Sequence, residues 1–352
     1  MATADLVVMG GGIFGLAIGW ECARRGAHVQ VIEARHVGAG ASGGVLGALA
    51  PHVPENWNPK KQFQFESLIM AESFWAEVQA ASGIDPGYAR IGRLQPLADA
   101  AAVAQAQRRA AGAGQFWLGK ADWQVTADAD PAWAGSSPSG LWLFDTLSAR
   151  IAPRRALLAL AAAIRAKGGR VDELHGATAP EIGPHTPVIW ATGVNGLVDL
   201  SQSLAQEVGN GVKGQAALFS CPSAGKAQLF TDALHIVPHS DGTVAVGSTS
   251  ERHYTDPTST DAGLDDLIAK ARQLCPALQD APVIEGWASL RPRAKSRAPM
   301  LGIWPGRPGQ YVANGGFKIG LGMAPKVAQV MANLVLDGQD ATPDGFRIED
   351  NL

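Results

Sequence analysis

Three glycines and one glutamate near the start of the chain have the types and spacing that bind a dinucleotide. Gly10, Gly12 and Gly15 fill a G-x-G-x-x-G frame after an apolar run, and Glu33 follows at close to the usual spacing. Such glycines allow a tight turn, close approach of the backbone to a pyrophosphate, and packing of a helix against a strand. The phosphates then meet amides at the helix N-terminus, while the carboxylate accepts a ribose hydroxyl. The pattern predicts a dinucleotide-binding βαβ unit but does not choose between FAD and NAD.

Two further glycine-containing stretches belong with this unit. Residues 38–52 read GAGASGGVLGALAPH, and this crowding of small residues indicates a backbone that approaches another group closely. We interpret the stretch as a loop that lies along the cofactor. PVIWATG, at residues 187–193, repeats the pattern of an apolar strand that enters a glycine turn. We expect this strand to join the first sheet, which makes the nucleotide-binding domain discontinuous.

Apolar periodicity and turn residues predict the remaining elements. Helices are expected at residues 60–80, 98–112, 153–168, 262–274 and 324–336, and a short strand is expected near Val171. The stretches KGQAALF, LHIVPH and VAVGST lie between residues 212 and 250 and alternate as strands, with an Asp-Gly hairpin turn at 240–243. VIEGWASLRPR, at 283–293, adds another strand. These elements predict an antiparallel sheet with accompanying helices.

The predicted fold class is α/β (α+β), with a Rossmann-like nucleotide-binding domain and a second domain built on the antiparallel sheet plus helices. The first domain is expected to comprise residues 1–46, 148–212 and 296–352. The second, substrate-binding domain is expected to comprise residues 47–147 and 213–295. A chain of 352 residues with 46% hydrophobic content is long enough to bury two moderate cores.

Charge and cysteine content narrow the class of protein. The formal net charge of −3 gives no basic excess for nucleic acid or an anionic membrane. Cys22, Cys221 and Cys275 are too few for a disulfide framework, and no C-x-x-C pair predicts a metal site. We expect a cytoplasmic location, without a secretory signal or a transmembrane segment.

Taken in order, five stretches of the chain resemble the D-amino-acid oxidase family. They are the N-terminal βαβ unit, GASGG at 40–44, the ATG strand end at 191–193, SLRPRAKSRAPMLG at 289–302 and GGFKIGLGMAP at 315–325. The resemblance is nearest to the glycine oxidase, sarcosine oxidase and D-amino-acid dehydrogenase members. It implies FAD as the cofactor. It also implies non-covalent binding, because no cysteine lies in the C-terminal loop where sarcosine oxidase relatives carry their flavin link.

The resemblance assigns cofactor contacts to six segments of the chain. The residues expected at the FAD are Gly10, Gly12, Ile13, Phe14, Gly15, Glu33, Ala34, Arg35, Ala41, Ser42, Gly44, Val45, Leu46, Val171, Ala191, Thr192, Gly193, Gly315, Gly316, Phe317, Lys318, Ile319 and Gly320. Among them, Val171 is expected to place its backbone against the adenine. The loop 315–322 is expected to pass the pyrimidine edge of the flavin ring. A helix starting at Ala324 would then aim its partly positive N-terminus at the anionic reduced ring.

Amino-acid oxidation by a flavin requires a substrate held with its Cα–H bond aimed at flavin N5. Arg291 ends an apolar strand, where amine-oxidising relatives carry a carboxylate-binding arginine, and a guanidinium binds a carboxylate through two hydrogen bonds. The alternative for Arg291 is a surface salt bridge. His235 occupies the place of a substrate-contacting tyrosine, and its imidazole could select the neutral amine. The alternative for His235 is a hydrogen-bonded residue of the second domain.

Two further residues are candidates for substrate contact. His52 follows the loop along the cofactor and is expected near the flavin face. Lys318 replaces the arginine or histidine of many relatives, which favours a substrate with a polar or acidic tail. The alternatives are that Lys318 balances the flavin charge or points into solvent.

The expected reaction is hydride transfer from Cα to flavin N5 without an obligatory protein base, followed by hydrolysis of the imine. Dioxygen or a quinone or carrier protein would reoxidise the flavin, and a homo-oligomer is possible. Four other functions remain open at this point: a nicotinamide-dependent dehydrogenase, a flavoprotein acting on modified tRNA, the flavoprotein subunit of a larger amine dehydrogenase, and a 2-hydroxy-acid dehydrogenase. The slightly acidic charge argues against the tRNA function.

Overall fold

The computed structural model describes residues 4–179 and 181–352. In the first half of the chain the strands are β1 (Leu6–Met9), β2 (Val29–Glu33), β3 (Ala48–Leu49), β4 (Arg93–Pro96), β5 (Trp123–Thr126), β6 (Trp142–Asp145), β7 (Ala149–Arg150) and β8 (Arg170–Glu173). The helices of this half are α1 (Ile13–Arg24), α2 (Pro59–Ser82), α3 (Ala100–Phe116), α4 (Pro131–Ala134) and α5 (Pro153–Ala166).

In the second half the strands are β9 (Val188–Trp190), β10 (Gly209–Ser220), β11 (Gln228–Thr231), β12 (Leu234–Pro238), β13 (Thr243–Gly247), β14 (Val283–Ala294), β15 (Met300–Ile303) and β16 (Gln310–Asn314). The helices are α6 (Gly193–Leu204), α7 (Ala262–Leu274) and α8 (Gly320–Asp337).

The first sheet collects strands from three distant parts of the chain. Its order is β15-β16-β9-β1-β2-β8, and every pairing is parallel except that of β15 with β16. The order confirms that the strand after Pro187 adds to the sheet of the N-terminal βαβ unit. Helices α1 and α5 contribute buried apolar residues to the core beside this sheet. The carboxyl ends of β1, β2, β9 and β16 all meet at one edge, where ligands bind in such sheets.

The second sheet is antiparallel except at one pairing. Its order is β14-β10-β13-β12-β11-β4-β6-β5, and only β11 and β4 run parallel. The predicted hairpin joins β12 to β13, where Gly242 has a φ of +85° and the His239 amide donates to the Thr243 carbonyl at 2.8 Å. The fold class predicted from the sequence is therefore confirmed.

Several helices differ from the sequence prediction. The helix predicted to start at Ala324 begins at Gly320, because tertiary packing outweighs the low helix propensity of glycine here. Gly322 lies beside α2, where a Cβ would make an ordinary contact of 3.4 Å with the Leu68 side chain. Pro325 therefore lies inside the helix, and next to it the Lys326 amide donates to Ser67 Oγ at 3.2 Å. Helix α6 is not predicted by the sequence patterns.

A small apolar cluster joins the two sheets. Val45, from the glycine-rich loop after β2, is buried against Ala216 and Ala245 of the second sheet, with Leu46 and Trp287 packed on them. Burial of these side chains holds the loop between the sheets. The site described below lies at this junction. Within residues 4–179 and 181–352, none of the helices has both the length and the apolar character needed to cross a bilayer.

Candidate active site

A cavity of about 840 Å³ extends between the carboxyl edge of the parallel sheet and the antiparallel sheet. Met9, Ile32 and Ala313 line it from the first sheet, while Ala216 and Ser289 line it from the second. Such a crevice outside the carboxyl ends of parallel strands is the usual position of a dinucleotide.

Backbone geometry at the first turn requires glycine. Gly10 has a φ of +112°, and a Cβ there would lie 2.5 Å from the Ala191 carbonyl oxygen. A Cβ on Gly15 would lie 2.0 Å from the Gly10 carbonyl oxygen, so α1 packs against the turn as closely as backbone allows. The turn therefore brings the N-terminus of α1 to the end of β1.

The N-terminus of α1 is open toward the cavity. Gly12 is its N-cap and provides no side-chain hydrogen bond, and the first turn carries no acidic residue. Gly12, Ile13 and Phe14 all line the cavity, and the Ile13 amide donates to Ser42 Oγ at 3.0 Å. Partly positive amides with no competing carboxylate form a suitable site for a pyrophosphate.

Glu33 is held in place by the backbone of the same unit. Its Oε2 accepts the Gly11 amide at 2.7 Å, and its Oε1 accepts the Arg35 amide at 3.0 Å. A carboxylate has about four acceptor positions, so both oxygens retain capacity for ribose hydroxyls. Ala34 and Arg35 continue the cavity wall beyond it.

The ATG segment, residues 191–193, lines the cavity beside the glycine turn and the N-terminus of α1. We call this region the nucleotide part of the cavity. Ala191, Thr192 and Gly193 line the cavity, and the buried Thr192 Oγ1 has no hydrogen-bond partner within the described part of the chain. Asn314 Nδ2 donates to the Gly193 carbonyl at 2.8 Å, which ties this wall to β16. The closely approached glycine turn, the open helix end, the carboxylate and this orphaned hydroxyl together fit FAD.

A second helix N-terminus reaches the cavity from α8. Gly320 and Leu321 line it, and the N-cap Ile319 supplies no side-chain hydrogen bond. Because α8 begins four residues before the predicted start at Ala324, its N-terminal amides lie closer to the cavity than the sequence indicated. Their partial positive charge favours an anionic group at this position.

Arg291 is buried at the part of the cavity that β14 lines. Its Nη1 donates to Ser248 Oγ at 2.6 Å, and its Nη2 donates to the carbonyls of Lys213 and Thr249. Nε has no partner within the described part of the chain, and no carboxylate forms an ion pair with the guanidinium there. Burial lowers the pKa of Arg291 to about 10, so the guanidinium stays charged at neutral pH. Arg291 is therefore a buried cation that lines the cavity, which argues against a surface salt bridge.

Gly214 allows Arg291 to adopt this position. A Cβ on Gly214 would lie 1.8 Å from Arg291 Nη2, so the guanidinium lies directly across the backbone of β10. This residue is missed by reasoning from the sequence alone. Its only signal is a glycine within a strand, which often marks close approach of another group.

His235 lines the cavity from β12, and its imidazole is neutral. Burial, followed by the charges of Arg93 and Lys318, lowers its pKa to about 3. Its ring packs against Phe230 with 4.6 Å between centroids, and its Nδ1 has no partner within the described residues. His235 therefore offers a neutral hydrogen-bonding group and does not titrate near neutral pH.

Lys318 lies on the loop before α8, at the rim of the cavity. Its Nζ is 5.8 Å from the centroid of the Phe317 ring, and Arg291 Cζ is 5.6 Å from the same centroid. Burial and the charge of Arg291 lower the pKa of Lys318. Phe317 has a φ of +43°, and its amide donates to the Pro292 carbonyl at 2.9 Å, so the loop is fixed to the end of β14.

Six of the predicted residues do not line the cavity. Val171 is buried in β8, where its carbonyl accepts Arg165 Nη2 at 2.9 Å, and Val45 is buried in the cluster that joins the sheets. His52 instead donates its amide to Gln64 Oε1 at 2.7 Å, and burial lowers the pKa of its imidazole. The other three are sequence neighbours of lining residues and do not line the cavity themselves: Gly15, Gly315 and Ile319. The remaining predicted residues are brought together around the cavity: Gly10, Gly12, Ile13, Phe14, Glu33, Ala34, Arg35, Ala41, Ser42, Gly44, Leu46, Ala191, Thr192, Gly193, Gly316, Phe317, Lys318, Gly320, His235 and Arg291.

Several lining residues are not identified by the sequence analysis. Trp287, Ser289 and Arg291 share one face of β14 and line the cavity, and Leu290 and Pro292 of the same strand line it as well. The Trp287 ring packs on Gly44, where a Cβ would lie 3.1 Å from it. Because Ser289 and Trp287 lie two and four residues before Arg291 on the same strand, the sequence could have indicated them once Arg291 was a candidate. Ser248, which directly follows β13, has no such signal.

The structure combines a parallel sheet with an antiparallel sheet, and the cavity between them is lined by a glycine turn and by the buried Arg291. The family model described as "FAD dependent oxidoreductase", DAO, matches residues 5–334, and the chain belongs to this family. Family membership confirms the resemblance and FAD as the cofactor, and it excludes the nicotinamide-dependent alternative.

Individual relatives extend this result. The chain is 29% identical to the bifunctional protein ThiO/ThiG of a Nostoc species over 95% of its own length, and it spans about half of that protein, 53%. It is 26% identical to a glycine oxidase of Geobacillus kaustophilus, with 94% of this chain and 92% of the relative covered.

Solved structures share the fold along nearly the whole chain. The crystal structure of glycine oxidase from Geobacillus kaustophilus has a TM-score of 0.84 at 22% identity and covers 99% of both chains. Iminodiacetate oxidase from Chelativorans sp. has a TM-score of 0.83 at 20% identity, with 97% of this chain and 98% of the other covered. At these identities the structural likeness establishes the fold alone.

Proposed function

We propose that the protein oxidises the C–N bond of a small amino acid or secondary amine with FAD, and that the resulting imine hydrolyses in water. The observation that carries this proposal is the pairing of a buried, charged Arg291 with a neutral His235 in the same cavity as the dinucleotide site. The glycine oxidases among the relatives agree with this reaction class.

Arg291 binds the substrate carboxylate. Its guanidinium is oriented by Ser248 and by two backbone carbonyls, while Nε remains free for an acceptor. A charge-assisted contact to a carboxylate is stronger than a neutral hydrogen bond, and a fixed guanidinium positions its ligand with little loss of entropy. Substrate binding then supplies the negative charge that this buried cation lacks.

His235 contacts the amine. Because its imidazole is neutral, its unpartnered Nδ1 either accepts an N–H or donates one, depending on the tautomer. It does not repel a protonated amine by charge, and it does not need to gain a proton. From the sequence, the imidazole of His235 could select the neutral amine by its own protonation. A pKa of about 3 instead favours orientation of the amine through a hydrogen bond.

FAD, when bound, would accept the hydride that leaves the substrate Cα, and with it the two electrons of the oxidation. We infer that the chain holds it without a covalent link; Cys22, Cys221 and Cys275 are all buried, and none of them lines the cavity. Glu33 holds the adenosine ribose, the N-terminus of α1 holds the pyrophosphate, and the N-terminus of α8 faces the flavin. Leu46, Phe230 and Trp287 cover the cavity with apolar surface and exclude water.

The proposal includes the two domains and the electron acceptors expected from the sequence. Residues 1–46, 148–212 and 296–352 form the FAD-binding domain, and residues 47–147 and 213–295 form the substrate-binding domain. Dioxygen, a quinone or a carrier protein reoxidises the cofactor in the cytoplasm. A homo-oligomer is compatible with this reaction.

The test is anaerobic bleaching of the flavin band of the purified holoprotein by glycine, sarcosine, D-amino acids, L-proline and 2-hydroxy acids. We expect an amino acid or secondary amine to bleach it, and admission of air then shows whether dioxygen is the acceptor. Bleaching by hydroxy acids alone would replace the proposal with a 2-hydroxy-acid dehydrogenase. Bound FAD that no amine in the panel reduces would contradict it.

A further inference from the structure

Arg291, His235 and Lys318 line one region of the cavity, which we call the substrate part. Lys318 is a cation there without a compensating partner among the described residues. Across residues 4–179 and 181–352, its Nζ forms neither a hydrogen bond nor an ion pair. Its contact in the protein is the Phe317 ring at 5.8 Å. The Lys318 side chain is exposed at the rim of the cavity, and an anionic ligand there would gain a charge-assisted hydrogen bond from its ammonium.

Two other cations lie beside the ring that Lys318 contacts. Arg291 and Arg293 lie 5.6 Å and 5.9 Å from the centroid of the same Phe317 ring. The carboxylates close to Arg93 and Arg291 already have other partners. Asp145 pairs with Arg93 at 2.9 Å, and Glu251 accepts Gln215 Nε2 at 3.0 Å.

Among the described residues, two carboxylates line the cavity, Glu33 and Asp199. Neither of them compensates the positive charge of Lys318. Glu33 ends β2 and accepts two backbone amides, and Asp199 lies on α6, on the nucleotide side of the cavity. A substrate with one carboxylate would compensate Arg291 and leave Lys318 without an anion.

We propose that the substrate carries a second carboxylate, which Lys318 binds while Arg291 binds the first. This inference rests on the proposed function and narrows it to small dicarboxylic amines, either an N-carboxymethyl amino acid or an acidic amino acid. Lys318 and Arg291 both line the cavity and lie beside the same Phe317 ring. Lysine suits this role because its compact ammonium accepts a carboxylate from several directions.

The competing role for Lys318 is to compensate the negative charge of the reduced flavin. The N-terminus of α8 already offers partial positive charge to the cavity through Gly320 and Leu321. The two roles predict different ligand preferences. A role at the flavin affects every substrate equally, whereas a role at a second carboxylate affects only dicarboxylates.

The test uses two thioethers in which sulfur replaces the substrate nitrogen, so that binding is measured without oxidation. Thiodiglycolate carries two carboxylates and methylthioacetate carries one, on otherwise similar chains. Each is titrated into the FAD-loaded protein at neutral pH, and the shift of the visible flavin band gives Kd. We expect thiodiglycolate to bind the wild-type protein at least tenfold more tightly than methylthioacetate.

Variants then assign this preference to one residue. Lys318→Met should raise the Kd of thiodiglycolate about tenfold and leave that of methylthioacetate within about twofold, and Lys318→Arg should retain most of the preference. Lys295→Met is the matched control, because Lys295 is exposed and does not line the cavity. It removes one positive charge nearby, and we expect it to change neither Kd.

Three results of the titrations overturn the inference. Equal affinity of the wild-type protein for the two thioethers contradicts it even if Lys318→Met does not fold, and so does binding of neither. An equal loss of affinity for both in Lys318→Met assigns the lysine to the flavin. A tenfold preference for thiodiglycolate, together with a flavin that neither sarcosine nor iminodiacetate bleaches, would support the dicarboxylate site while contradicting the proposed oxidation.

Discussion

The nucleotide part and the substrate part of the cavity are built by different means. The nucleotide part is formed by backbone: two helix N-termini, a glycine turn and a carboxylate held by two amides. The substrate part is formed by side chains such as Arg291, His235 and Lys318, which come from two strands and a loop far apart in the sequence.

This difference indicates which part of the cavity sets the specificity for the substrate. Backbone amides recognise phosphate in any protein with the same turn, so the nucleotide part changes little when side chains change. The substrate part depends on a few charged groups whose positions are set by their neighbours. Its ligand can therefore change through single residues while the cofactor remains the same.

The largest effect is expected at the backbone-built part, from Gly15→Ala. A Cβ at this position would lie 2.0 Å from the Gly10 carbonyl oxygen, so α1 has to move away from the turn that carries its N-terminus. We expect the purified variant to retain less than about a tenth of the wild-type FAD, measured by the ratio of visible to ultraviolet absorbance.

Gly114→Ala is the matched control for this change. Gly114 lies in α3, and a Cβ there would meet nothing within 4 Å. The variant should retain full FAD and gain stability, by about 0.4–1 kcal/mol. Full retention of FAD by Gly15→Ala would show that the nucleotide part does not depend on its backbone in this way.

An intermediate effect is expected at Arg291. In Arg291→Lys an ammonium replaces the fixed guanidinium, so we expect KM for a carboxylate substrate to rise at least tenfold, equivalent to roughly 1.4 kcal/mol. Gly214→Ala should also raise KM, because the added Cβ displaces the same guanidinium without changing any charge.

Arg293→Lys provides the control, since Arg293 lies beside the same Phe317 ring but does not line the cavity. Its KM should remain close to that of the wild type. Steady-state kinetics with one substrate compare all three variants. An unchanged KM in Arg291→Lys would remove the arginine from carboxylate binding.

The smallest effect is expected at His235. Loss of one neutral hydrogen bond, about 0.5–1.5 kcal/mol, should lower kcat/KM of His235→Phe by roughly threefold to tenfold. His235→Gln, which keeps a hydrogen-bonding group, should lose less. Because burial holds the pKa of His235 at about 3, the imidazole is already neutral well below pH 5.

The pH profile of kcat/KM between pH 5 and 9 should therefore keep its shape in both variants. An inflection near pH 6 that is present in the wild type and absent from His235→Phe would contradict the neutral assignment. Equal kcat/KM in all three proteins would place His235 outside substrate binding.

The sequence predicts the nucleotide part well because its determinants are local. Gly10, Gly12 and Glu33 act through the turn and helix that they themselves form, and the parallel order of the first sheet follows from the strand at 188–190. The predicted start of α8 at Ala324 is wrong because packing of Gly322 near Leu68 is a tertiary contact, and helix propensity contains no information about it.

The substrate part is predicted only in fragments. Arg291, His235 and Lys318 are identified as candidates, but their charge states, and the proximity of Arg291 and Lys318 to one ring, depend on the folded arrangement. His52 is predicted at the flavin face and instead bonds to Gln64 from α2, away from the cavity. Proximity along the chain to a cofactor loop does not determine which way a side chain faces.

By itself the sequence determined the βαβ unit, the dinucleotide site, the family and the residue types available for the reaction. Those depend on short-range spacing, since turns and helix ends form from neighbouring residues. Only the tertiary structure decided that Gly214 lies beneath Arg291, that His235 is neutral and that Lys318 lacks an anion. These properties arise from burial and from contacts between distant strands, where desolvation and neighbouring charge set the state of each group.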